Sequence, residues 1–308
     1  MASQVWLITG TTSGFGAEFV KILLAKGDKV IATARDLAKI SHFKDAGAST
    51  LKLDLLTDQA AFDKLAADAI AIHGHVDVVV NNAGYSHFGT VEEDRLVTHS
   101  TFRWKPLEKK ELMNFSLGDW IKQYQTHVFG PLGVARAFLP HFRSRKAGTF
   151  VFIGSIAAWG GIPTLAAYCG SKSALRANAT QGAVESLNLE IAPLGLRTLL
   201  VEPGFFRTDL LNASNTKYID SKISDYKPLT EQNFTTFKGY HKLQPGDPAK
   251  GVQRIVDTVK GEGDARGKAF PVSLALGTDA VSHIRKNCEE NLRLLGEWEK
   301  VSSDTDFD

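Results

Sequence analysis

A chain of 308 residues, 43% of them hydrophobic, suffices for one large α/β domain with a sizeable core or for two small domains. Its net charge of +2, with acids and bases interspersed and no long basic run, argues against a nucleic-acid or other polyanion partner. The two cysteines, Cys169 and Cys288, stand outside any metal-ligand spacing and fit a reducing compartment, so no metal is expected.

In chain order, short apolar runs alternate with helical patterns. Val5-Trp6-Leu7-Ile8 predicts a buried strand, and residues 14–26 predict a helix that Gly27 closes. Strands are expected at 29–34, 50–54 and 76–80, with a helix at 58–73 between the last two. A long helix at 117–145 follows, with Arg143, Arg145 and Lys146 as its cationic end, then a strand at 149–153. A second long helix, 166–191, leads to a strand at 197–201; a helix at 247–259 leads to a short apolar segment near Phe270. A last helix spans 278–300, and the tail 302–308 is acidic and frayed. This alternation predicts an α/β fold: one Rossmann-like, doubly wound parallel sheet of about seven strands, with helices on both faces, in a single domain over 1–308. No apolar stretch has membrane-span length and no leader precedes the first strand, so a cytoplasmic protein without a membrane span is expected; Asn178-Ala179-Thr180 and Asn233-Phe234-Thr235 then carry no glycosylation meaning.

Two stretches break the pattern. Residues 92–116 mix charges with aromatics, including Arg103, Trp104 and Lys105, and read as an insertion. Residues 205–243 read as a long loop after a strand's carboxyl end, where ligands bind in open α/β sheets, and so as a lid over a substrate.

The residues that carry chemistry are Tyr168 and Lys172, four apart and therefore on one helix face, with Ser155 upstream. A lysine cation beside a phenol favours the phenolate and turns tyrosine into an acid/base for a carbonyl or an alcohol. After the first strand, Thr9-Gly10-Thr11-Thr12-Ser13-Gly14-Phe15-Gly16 opens a helix; glycines let backbone approach a pyrophosphate, and the helix start presents free N–H groups to it. The second strand ends Thr33-Ala34-Arg35-Asp36. Arg35 suits the 2′-phosphate of NADP, whereas a literal count makes Asp36 the acid that pairs with the ribose of NAD; NADP(H) is favoured over NAD(H).

Taken together, these motifs resemble the short-chain dehydrogenase/reductase family, in its branch with a TGxxxGxG loop and a YxxxK active site. Within it the chain is most similar to the retinol- and hydroxysteroid-dehydrogenase-like members. The resemblance runs from about 4 to about 270 and also rests on Asp54-Leu55, Asn81-Asn82-Ala83-Gly84 and Pro203-Gly204-Phe205-Phe206-Arg207-Thr208. It implies a nicotinamide dinucleotide held by Gly10, Thr12, Ser13, Gly14, Phe15, Gly16, Arg35, Asp54, Leu55, Asn81, Ala83, Gly84, Pro203, Gly204, Phe206 and Thr208. Tyr168 would be the general acid/base, Lys172 would hold the nicotinamide ribose and depress the tyrosine pKa, and Ser155 would bind the substrate oxygen. Relatives pair through the two long helices, which implies a homodimer or homotetramer. Where the family has asparagine before its fifth strand, this chain reads Thr126-His127-Val128-Phe129-Gly130. His127 then either serves a proton relay, adding a titration near neutral pH, or is an interior histidine with a structural hydrogen bond.

The expected function is NADP(H)-dependent interconversion of a carbonyl and an alcohol on a mainly apolar small molecule, such as a steroid, retinoid, polyketide or other secondary metabolite. Phe205, Phe206, Leu210, Leu211, Tyr218, Tyr226, Phe234 and Phe237 are available for the lid, and Trp159, Ile162 and Leu165 for the near wall. The alternatives are a non-redox isomerase, cyclase or dehydratase on the same scaffold, and a catalytically silent nucleotide sensor.

Overall fold

The computed structural model describes residues 3–93, 118–176 and 182–307. The expected insertion at 92–116 lies outside them from residue 94 on, as do Asn178, Ala179 and Thr180.

Strand β1 (Val5–Ile8) is apolar throughout because both faces are covered: Val5 and Leu7 enter one core, Trp6 and Ile8 the other. A glycine-rich turn leads to α1 (Gly14–Ala25), and Gly27, at φ 80°, turns the chain into β2 (Lys29–Ala34). The short turn α2 (His42–Asp45) precedes β3 (Ser49–Lys52). Helix α3 (Gln59–His73) begins at Asp58, whose carboxylate accepts the Ala61 N–H at 3.0 Å, and ends at left-handed Gly74. Then come β4 (Val78–Asn81) and the three-residue β5 (Ser86–Phe88). Helix α4 (Asp119–Tyr124) runs through a π-helical turn, Gln125–Phe129, into α5 (Gly130–Arg145). The chain continues through β6 (Thr149–Ile153), α6 (Ala166–Arg176), α7 (Ala183–Ile191) and β7 (Arg197–Pro203). It closes with β8 (Thr216–Tyr218), α8 (Lys227–Gly239), α9 (Pro248–Lys260), β9 (Ser273–Leu276) and α10 (Thr278–Ser303).

Seven strands form one parallel sheet in the order β3-β2-β1-β4-β6-β7-β9, as the Rossmann-like expectation requires. On one face, α1 and α9 pack Phe19, Leu23, Ile255 and Val256 against Trp6, Val78 and Val151. On the other, α3, α5 and α7 pack Phe62, Phe138 and Leu187 against Leu7, Val79 and Phe150. Strand order reverses between β1 and β4, so the loops at their carboxyl ends diverge and leave a crevice there.

The structure corrects the reading of 205–243 as loop. This segment holds β8, a 3-10 turn at Ser224–Tyr226 and α8. Strand β8 pairs with β5, 130 residues away, in the register Ser86↔Thr216 to Phe88↔Tyr218. Phe88 stacks on Tyr218 at 4.9 Å and meets Phe234 and Phe237 of α8 edge-on. Glu93 adds a clamp by accepting the N–H groups of Lys222 and Ile223. Likewise, the single helix expected at 117–145 is α4, the π turn and α5, and the last strand lies at Ser273–Leu276, past Phe270, whose ring packs under the Arg197 guanidinium. Among the described residues no helix is long and apolar enough to cross a membrane.

Candidate active site

A cleft of about 870 Å³ opens at the carboxyl ends of the central strands. Gly10, Thr12, Ser13, Gly14, Phe15, Arg35, Asp54, Leu55, Ala83, Gly84, His127, Ser155, Tyr168, Lys172, Pro203, Gly204, Phe206 and Thr208 all line it; of the catalytic and cofactor residues expected from sequence, Gly16 and Asn81 do not.

The fold itself requires Gly16. A Cβ there would lie 2.2 Å from the Gly10 carbonyl oxygen and 2.7 Å from Asn82 Nδ2. Gly10, at φ 71°, would put a Cβ 2.7 Å from Ala83 Cα. These glycines therefore let the first turn nest against the 81–84 loop. Asn82, which the sequence reading left without a role, fastens that contact: its Nδ2 donates to the Thr9 and Gly10 carbonyls at 2.9 and 3.0 Å. Thr9 Oγ1 in return accepts the Asn82 and Ala83 N–H groups at 2.9 and 3.0 Å. Asn81 is buried, and neither of its amide atoms has a hydrogen-bond partner among the described residues.

The residues present fit a dinucleotide. Ser13, the residue before α1, makes no side-chain cap, so the first-turn N–H groups of that helix stay available at the cleft for anionic phosphates. Arg35 and Lys39 both line the cleft at the end of β2. Asp36 lines the cleft between them, and its Oδ1 accepts the Ala38 N–H at 3.0 Å, capping the 3-10 turn Leu37–Ile40.

The reactive set lies at the other end. Ser155 leaves β6 in extended conformation, and its Oγ accepts the Ala157 N–H at 3.1 Å. Ser155 is also hydrogen-bonded to the Tyr168 phenol. One turn along α6, Lys172 places its Nζ 5.9 Å from the Tyr168 ring centroid and donates to the Ile153 carbonyl at 2.8 Å. Burial pushes the Tyr168 pKa up to about 12 against the Ser155 hydrogen bond, and burial brings the Lys172 pKa down to about 7. The net shift is opposite to the expected depression: in the protein by itself, burial dominates and the phenol keeps its proton at neutral pH.

His127 sits on the π turn and is fully buried, with its ring edge-on to Tyr168 at 5.4 Å. Its Nε2 accepts the Tyr85 N–H at 3.2 Å, which assigns the hydrogen to Nδ1; Nδ1 then donates to Ser171 Oγ at 2.9 Å, and Ser171 donates to the Tyr168 carbonyl at 2.8 Å. Burial, followed by the charge of Lys172, holds its pKa well below the usual histidine value. The neutral-pH titration is thus corrected to a neutral imidazole with both nitrogens bonded.

Two further devices had no sequence signal. Glu202, buried on β7, pairs with Arg176 Nε at 2.6 Å and accepts from Trp159 Nε1 at 2.8 Å and Ser273 Oγ at 2.7 Å. The Arg176 guanidinium also lies 3.2 Å over the Trp159 ring. Trp159 is therefore absent from the near wall, which Ile162 and Leu165 do form. Asp279 of α10 accepts the Phe205 N–H at 2.7 Å and crowds Gly204 so closely that a Cβ there would meet Oδ1 at 2.2 Å. Of the apolar residues expected in the lid, Phe205, Phe206, Leu210, Leu211 and Phe237 reach the cleft; Tyr218, Tyr226 and Phe234 do not.

Residues 4–219 match the family model for short chain dehydrogenase. The chain belongs to the short-chain dehydrogenase/reductase family. Over 216 residues it is 35% identical to oxidoreductase claN of Passalora fulva, covering 68% of this chain and 86% of that protein. The solved short-chain dehydrogenase of Streptomyces avermitilis is 34% identical, with a TM-score of 0.78 over 99% of both chains, so the part beyond residue 219 is shared with it. The 3-ketoacyl-(acyl-carrier-protein) reductase of Brucella melitensis, complexed with NADH, has the same fold at 21% identity, with a TM-score of 0.64 over 90% of this chain and 98% of that one.

Proposed function

We propose that this short-chain dehydrogenase/reductase interconverts a carbonyl and an alcohol on a mainly apolar small molecule, with NADP(H) as cofactor and Tyr168 as proton donor. The reading is carried by one observation: a protonated, buried phenol, bonded to a serine hydroxyl, lines the same cleft as an uncapped helix start and a pair of cations. A bound nicotinamide dinucleotide supplies hydride transfer.

The rest falls to this chain's own residues. The N–H groups from Thr12 to Phe15 bind phosphate, Asp54 and Leu55 border the adenine end, and Pro203, Gly204, Phe206 and Thr208 border the nicotinamide end. Arg35 and Lys39 favour the 2′-phosphate, while Asp36 beside them has one carboxylate oxygen committed to its cap. Tyr168 Oη gives its proton to the substrate oxygen while the Ser155 hydroxyl donates to the same oxygen. In its protonated form, Lys172 makes the phenolate left behind less costly. Phe88, Ile162, Leu165, Leu210, Leu211 and Phe237 offer apolar walls, which favour a steroid, retinoid or polyketide-like skeleton with one carbonyl or hydroxyl.

The test is a panel of ketones, aldehydes and alcohols with each cofactor, read as net change in nicotinamide absorbance. Net NADPH oxidation with an apolar carbonyl compound is expected. Arg35→Ala should raise the Kd for NADPH by about tenfold to a hundredfold, as loss of a charge-assisted hydrogen bond implies, and that for NADH far less. Equal losses for both cofactors remove the 2′-phosphate assignment; substrate conversion with no net redox change removes the reaction.

A further inference from the structure

We propose that Asp279, in the first turn of α10, is a positioning residue for the nicotinamide half of the cofactor. This rests on the reading of the cleft as a nicotinamide dinucleotide site. Strands β7 and β9 stay in register to Pro203↔Leu276, and the Gly204 N–H extends their ladder onto the Leu276 carbonyl at 2.9 Å. There the two segments part, because Gly277, at φ 105°, turns the chain from β9 into α10. The next donor, the Phe205 N–H, goes to a side chain instead: Asp279 Oδ2 accepts it at 2.7 Å. The carboxylate thus takes the place of a ladder carbonyl.

The fit is close. Asp279 Oδ1 would stand 2.2 Å from a Cβ at Gly204 and 2.7 Å from one at Gly277, so both positions must be bare to admit it. The other side of the segment is held by main chain. The Phe205 carbonyl accepts the Gly246 N–H at 3.0 Å, and the Arg207 N–H donates to the Gly246 carbonyl at 2.8 Å. Between these bonds, the Phe206 ring meets Phe15 of α1 edge-on at 4.9 Å. Residues 204–207 are therefore strung between α10 on one side and Gly246 and α1 on the other.

Asp279 does not line the cleft, whereas Pro203, Gly204, Phe205 and Phe206 do. It therefore acts through the backbone it holds. Without it, one anchor of the segment at the nicotinamide end is lost, and that segment must be ordered when the cofactor binds, which costs affinity. The groups at the phosphate and adenine ends sit on other elements: Arg35 after β2, Asp54 after β3 and the uncapped start of α1. Losing the Asp279 contact leaves those as they are, and leaves the β7–β9 ladder in place. The role thus has a signature that general destabilisation lacks: it discriminates between a ligand with a nicotinamide and one without.

Calorimetric titration of the full chain with NADPH and with 2′-phospho-ADP-ribose, which lacks the nicotinamide, tests this. D279A should raise the Kd for NADPH by about tenfold, as loss of a charge-assisted hydrogen bond implies, and that for 2′-phospho-ADP-ribose by less than about twofold. D279N keeps an acceptor oxygen and should hold the NADPH Kd within about threefold of wild type. The pair NADH and ADP-ribose should show the same contrast, so the outcome does not depend on the 2′-phosphate. Equal losses for both members of a pair, an NADPH Kd unmoved by D279A, or D279N as weak as D279A would each overturn the positioning role and leave the cofactor reading standing. A wild-type chain that binds none of these ligands would overturn both.

Discussion

Tyr168→Phe lowers turnover by about a thousandfold or more while shifting the Kd for NADPH less than about threefold. The substitution removes one oxygen and leaves the ring, so the edge-on contact with His127 at 5.4 Å and the position of Lys172 at 5.9 Å from the ring centroid both persist. Lys172 keeps its bond to the Ile153 carbonyl, which does not involve the phenol. What disappears is the proton for the substrate oxygen and the acceptor of the Ser155 hydrogen bond. A group that acts only in the transition state lowers kcat and kcat/KM together, with KM nearly unchanged. Steady-state rates with the carbonyl substrate, alongside NADPH fluorescence titration, check this. Retention of more than about a tenth of wild-type turnover would show that another group supplies the proton.

Arg176→Met is the largest stability effect expected, about 3–5 kcal/mol in urea unfolding. It strands Glu202, 1% exposed in its side chain, without its buried cation. It also strips the stacked guanidinium from Trp159, leaving Glu202 with only the Trp159 and Ser273 hydrogen bonds. Because a buried ion pair need not exceed an apolar one, Arg176→Met/Glu202→Leu should recover a large part of the loss. The triple contact joins α6 one turn past Lys172, the turn after Ser155, and β7 just before Pro203. An effect below about 1 kcal/mol would mean that Glu202 is neutralised by other means.

The parts of the molecule legible in the sequence are those where local pattern and tertiary role coincide. β1 reads as a strand because its four residues are apolar on both faces, and α3 because Asp58 and Gly74 bracket an amphipathic run. Tyr168 and Lys172 are placed by helix periodicity alone. What stayed hidden depends on partners distant in the chain. Three-residue β8 is a strand only because β5 lies beside it. Asn82 has a role only because Gly10 lies against it, and Glu202 is tolerable in a buried strand only because Arg176 reaches it. The sign of the Tyr168 shift was equally out of reach, since it turns on how much water the closed wall around the phenol excludes. His127 falls between the two cases: its place in the motif is visible in the sequence, but its neutral state follows from burial on a π turn.

The most direct measurement is a titration of the Tyr168 phenol by NMR of ring-labelled tyrosine, with the Tyr168→Phe spectrum identifying its signal. In the protein alone the phenol should ionise only near pH 12, and saturating NADP+ should bring that value down, because the cationic nicotinamide favours phenolate beside it. A phenol already ionised at pH 8 in the protein alone, or one whose ionisation NADP+ leaves unmoved, would contradict the assignment of Tyr168 as the acid of this cleft.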